Sequence, residues 1–124
     1  MTRDLSRIFR ILLVAAIIFA VTMALLPKPP HMPIDRFGDK FEHMTAFATL
    51  ALLSAFGYPA AKLTRILERL SFLGALIEVL QSIPSLHRDC DIHDWIADTI
   101  AIAVVLAIVS LVRRNRPPII RTLH

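Results

Sequence analysis

Eight side chains in this sequence have the types and spacings of a shared chemical site. Asp39, Lys40 and His43 come first, with Asp39 and His43 four apart and so on one face of a helix. Glu78 and Gln81 follow, three apart and again on one face. Arg88 precedes Asp94 by six residues, and Asp98 stands four further on. His43, Glu78 and Asp94 are the candidates for catalytic roles, His43 or Glu78 as general base or acid and Asp94 orienting a partner. Arg88 and Lys40 suit an anion, the guanidinium through its bidentate fork and the ammonium as a point charge. Asp39, Gln81 and Asp98 complete the binding set. His43, Glu78, Asp94 and Asp98 lack the tight local ligand spacing of a metal centre, so no metal and no cofactor is expected. Neither an HExxH zinc signature nor a GxSxG nucleophile elbow is present. The single cysteine, Cys90, excludes an intrachain disulfide and a Cys-based metal site.

The elements that must carry these residues are unusually apolar. Of 124 residues, 56% are hydrophobic and only 19% are charged, against about a quarter charged in an ordinary soluble domain. The mean hydropathy is +0.62, and a soluble chain this short cannot hide so much apolar surface in one core. A soluble enzyme, a secreted disulfide scaffold and a disordered tail are excluded. The expectation is an all-α membrane protein, one domain over 1–124. It is a bundle of four transmembrane helices at about 8–26, 41–58, 66–83 and 92–112. All 8 prolines fall between or after these spans, where a missing N–H does no harm. Gly57 sits where a helix C-terminal glycine belongs, and Asp39 with Glu42 resembles a capping box opening the second helix. The first span reads as an uncleaved helix rather than a signal peptide, because its apolar run is long and no small-x-small site precedes Pro27.

Charge sets the orientation. Arg3, Arg7, Arg10, Lys62, Arg65, Arg69, Arg113, Arg114, Arg116 and Arg121 share the side that holds both termini; Lys28, Arg36, Lys40 and Arg88 share the other. Positive residues stay in the cytoplasm, so both termini are expected there. The basic pI of about 10.0 is then an insertion signal with some attraction to anionic lipid, not a nucleic-acid footprint. Trp95 and Tyr58 suit the two membrane interfaces. Seven of the eight candidate residues gather at the extracytoplasmic ends of the second, third and fourth helices, and Arg88 stands in the outer loop before the fourth. Ionisable groups there are costly against lipid and must face inward. Ser71, Gly74, Glu78 and Gln81 form one stripe, and Asp94, Ala97, Asp98 and Ala101 another. The third and fourth helices should therefore touch, with Glu78 near Asp94 or Asp98.

Taken in order, Asp39-Lys40-x-x-His43, Glu78-x-x-Gln81 and Arg88 with Asp94 and Asp98 resemble the VanZ-like family, named after the teicoplanin-resistance protein. The family pattern is Asp-Lys-x-x-His opening a helix, Glu-x-x-Gln closing the next, then Arg, Asp and Asn. Asp98 stands here for the Asn, and Ala101 for a small residue that is often Gly. The likeness covers about 38–101. It implies a small multi-pass protein of the cell membrane, with a family link to glycopeptide resistance that does not by itself make this chain a resistance protein. Two functional classes remain open. One is an extracytoplasmic site that binds or modifies a polar or anionic headgroup of a lipid or cell-wall precursor. The other is a non-enzymatic structural or assembly protein whose polar groups only pair with one another. An ion path is weaker, because relay groups stand at one end only.

Overall fold

Four helices run in the order α1 (Arg3–Leu25), α2 (Asp35–Gly57), α3 (Leu63–Gln81) and α4 (Ile92–Arg114). The structure is a computed structural model and describes residues 3–25, 35–82 and 92–115. Each helix reaches beyond its apolar run at one end or both. Hydrogen bonding, not hydropathy, sets a helix end, and arginine, lysine and glutamate are good helix formers. α2 opens at Asp35, a turn before Asp39, so Asp39 and Glu42 lie inside the helix and do not cap it.

α1 and α4 are long and apolar enough to cross a membrane. Their 23 residues each span about 35 Å at 1.5 Å per residue, against a hydrocarbon core of about 30 Å. α2 is as long but carries Asp35, Arg36, Asp39, Lys40, Glu42 and His43 in its first half, and α3 is 19 residues with Arg65, Glu68 and Arg69 near its start. All four helices are thus present, and two of them meet both criteria of a span.

Three contacts fix the helix directions. The backbone of Arg10, near the start of α1, lies against Gly57 at the end of α2. Gln81, ending α3, reaches Ala24 at the end of α1. Arg113, ending α4, reaches Ala55 at the end of α2. Consecutive helices therefore run up and down. α2 packs chiefly on α1 and α4, and α4 on α3. One end of the bundle collects Arg3, Arg7, Arg10, Lys62, Arg65, Arg113 and Arg114; the far end collects Gln81 and the start of α4. The turn between α2 and α3 holds Pro59 directly after Tyr58, whose carbonyl accepts from the Ala61 amide at 3.0 Å, a position that suits the fixed φ of proline.

The core is a column of Leu13, Ala24, Phe47, Leu50, Ala51, Ala55, Ile66, Leu70, Ile77, Ile102, Leu106 and Val109. Ala51 and Ala55 are wholly buried, and their small side chains bring α2 close to its neighbours. On α4 the buried residues Asp98, Ile102, Leu106 and Val109 recur every three or four positions and form one stripe. The outward faces are also apolar: Ile8, Ile11, Ile18 and Phe19 on α1, and Ile96, Ile100, Val104 and Ile108 on α4, are exposed. A helix apolar all round belongs in an apolar surrounding.

Candidate functional site

Glu78, Gln81 and Asp98 are buried at 7%, 2% and 2% exposure, in a bundle whose outer faces are Ile, Leu, Val and Phe. Asp98 heads the buried stripe of α4, one turn above Ile102, at a core position where an aliphatic residue would otherwise sit. Removing a carboxylate from water costs several kcal/mol unless neighbours compensate; both Asp98 and Glu78 have partners, while the Oδ1 atom of Asp98 accepts no hydrogen bond among the described residues. His43, half-buried on α2, is likewise engaged. Asp94 is half-buried in the first turn of α4, where a carboxylate favours the positive end of the helix. Asp39 and Lys40 fall in the second turn of α2, but their side chains, like the whole of Arg88, lie outside the described residues.

The relative depth of these groups follows from the seam between α3 and α4. A Cβ on Gly74 would stand 3.4 Å from the Trp95 ring, and the Ser71 and Thr99 hydroxyls are 3.0 Å apart. Carrying this antiparallel register outward at 1.5 Å per residue puts Glu78 about 5 Å above Asp94 and about 10 Å above Asp98 along the bundle axis. The two buried carboxylates thus occupy successive levels, with Glu78 nearer in depth to Asp94. Among the described residues no three His, Cys, Asp or Glu side chains cluster as metal ligands would.

Gln81 has a use beyond the one its spacing implies. Its Nε2 donates to the Ala24 carbonyl at 2.9 Å. Ala24 lies in the last turn of α1, where carbonyls have no partner inside the helix. Gln81 therefore closes the end of α1 from α3. Arg113 does the same at the opposite end, its Nη2 donating to the Ala55 carbonyl in the last turn of α2 at 2.8 Å.

The α3–α4 seam holds a polar set that spacing alone does not reveal. Trp95 Nε1 donates to the Ser71 carbonyl at 2.9 Å. Thr99 spends its one hydroxyl proton on the Trp95 carbonyl at 2.9 Å, so the Ser71 hydroxyl must donate to Thr99 Oγ1. Trp95 is then half-buried between two helices. Its signal in the sequence was Thr99, four residues later and opposite the small residues Ser71 and Gly74. No protein-family model, curated protein or solved structure matches the chain.

Proposed function

We propose that the chain is a multi-pass integral membrane protein of four transmembrane helices, with both termini cytoplasmic, whose extracytoplasmic end binds an anionic headgroup of a lipid or cell-wall precursor. The observation that carries this reading is the burial of Glu78 and Asp98 inside a bundle with an apolar exterior. Charge kept inside membrane helices is expensive and marks a site more often than a scaffold. The resemblance of Asp39-Lys40-x-x-His43, Glu78-x-x-Gln81 and Arg88 with Asp94 and Asp98 to the VanZ-like family supports the same end of the molecule. In this reading Arg88 and Lys40 hold the anion. His43 or Glu78 moves a proton if a reaction follows, with Asp94 orienting a partner. Asp39 and Asp98 set the charge of the site. Gln81 stays in the ligand set through its second amide hydrogen and Oε1, beside the one bond by which it closes α1.

The hydrogen bond of Gln81 also favours the competing reading, a polar interior that only holds the bundle together. Glu78→Gln and His43→Gln separate the two. Each keeps approximate volume and hydrogen-bonding capacity while removing the titratable group. A closed network loses roughly 3–5 kcal/mol when one partner of a buried charged pair is removed, and melting in mild detergent falls accordingly. A wetted site tolerates the change, so unchanged melting with loss of the envelope phenotype is the expected result. Arg88→Lys adds a third point: a bidentate headgroup contact is lost, whereas simple charge balance is kept. Large destabilisation, with function falling only in step with protein level, overturns the site.

A further inference from the structure

An open trough of about 650 Å3 runs along the outward face of α1 at the basic end of the bundle. It is lined by Arg7, Arg10, Ile11, Val14, Ala15 and Ile18. All six stand on one face of α1, so the trough is shallow and open along its outer side. Its chemistry is graded along the helix: two guanidinium groups at one end, then only aliphatic side chains. Arg10 to Ile18 covers about 12 Å of helix axis, which fits within the roughly 15 Å depth of a single leaflet. The trough therefore matches a molecule with a charged head and one leaflet's length of tail.

The head end is held in place. The Arg10 guanidinium lies over the Tyr58 ring, 5.6 Å from its centroid. A cation–π contact uses the face of the guanidinium and leaves its N–H edge for an anion. The backbone at Arg10 is seated against Gly57. Arg7 stands one turn away and is exposed. Neither arginine has an acidic partner among the described residues.

We propose that this trough is a binding site for an anionic phospholipid, with the phosphate on Arg7 and Arg10 and an acyl chain along Ile11, Val14, Ala15 and Ile18. The proposal rests on the membrane embedding put forward above and concerns the opposite end of the bundle from the polar interior. Each arginine near an anionic headgroup strengthens association about fivefold, and the aliphatic stripe orders the chain beneath it.

The test uses the full chain reconstituted in phosphatidylcholine bilayers, with phosphatidylglycerol or phosphatidylcholine spin-labelled on the acyl chain. The fraction of label immobilised by the protein gives the relative association of the two lipids. Phosphatidylglycerol is expected to be preferred by about tenfold or more. Preference should vanish in the Arg7→Gln/Arg10→Gln double variant, and the immobilised fraction should drop when Val14→Trp fills the trough. The charge-matched control Arg65→Gln/Arg69→Gln, changed at exposed positions on α3, should keep most of it. Equal association of both lipids with the unaltered chain overturns the site, and so does an equal loss in the control pair. Efficient crosslinking of two chains through Val14→Cys assigns the face to a second copy and also overturns it. Immobilisation of neither lipid, by contrast, strikes the membrane embedding itself.

Discussion

The two described glycines that touch another helix answer to different constraints, and substitution should separate them. Gly57 ends α2, where a left-handed C-terminal glycine is the ordinary reason for the residue, yet the structure gives it another role. A Cβ there would meet Arg10 Cγ at 3.0 Å and the Arg10 backbone nitrogen at 3.2 Å. The side chain can move; the backbone of α1 cannot without lifting the helix. Gly57→Ala is therefore expected to cost about 1–3 kcal/mol, the usual penalty for overpacking, and Arg10→Ala should restore only part of it. At Gly74 the nearest neighbours, Phe47 and Trp95, stand at 3.4 Å, an ordinary contact. Gly74→Ala should be neutral or gain up to about 1 kcal/mol from helix propensity. Melting of both variants in the same detergent checks the pair, and a destabilised Gly74→Ala beside a tolerated Gly57→Ala would reverse the assignment.

At the scale of helices, the seam between α3 and α4 depends on the chain Ser71 to Thr99 to the Trp95 carbonyl. A double-mutant cycle of Ser71→Ala and Thr99→Val should return a coupling of about 0.5–1 kcal/mol, the range of interhelical hydrogen bonds between membrane helices. Additive losses would mean that the hydroxyls do not hold the helices together. How much of this was legible beforehand differs by feature. The four helices follow from apolar runs divided by Pro27, Pro33, Pro59 and Pro84, because proline cannot donate into a helix. That Glu78 and Asp98 point inward follows from the cost of charge in an apolar helix. The start of α2 at Asp35 was hidden, since the charged stretch 35–40 gives no hydropathy signal and its two aspartates and Gly38 have low helix propensity. The inward turn of Trp95 and the reach of Gln81 to Ala24 were hidden for another reason. Both depend on how two helices are rotated and staggered against each other, which a single helix's periodicity does not encode. The levels of Glu78, Asp94 and Asp98 became readable only once Gly74 and Trp95 supplied the register.

Across the whole molecule, basic residues mark one end and buried carboxylates lie towards the other. On the proposed orientation, reporters fused after Pro30 and Ser85 score as extracytoplasmic, and those after Lys62 and His124 as cytoplasmic. A cytoplasmic signal at Pro30 would put the polar interior on the wrong face of the membrane. The two side-chain closures, Gln81 on Ala24 and Arg113 on Ala55, carry a consequence in time. Each carbonyl is satisfied by a residue 57 or 58 positions later in the chain. At about 5–20 residues per second of synthesis, each waits roughly 3–12 s for its donor. In the membrane setting proposed above, the hairpin of α1 and α2 has two unfinished ends during that wait, and each carbonyl left without a partner in hydrocarbon costs several kcal/mol. On that reading, a chain stopped between α2 and α4 keeps both helix ends open, and its hairpin is expected to be cleared faster than the full chain.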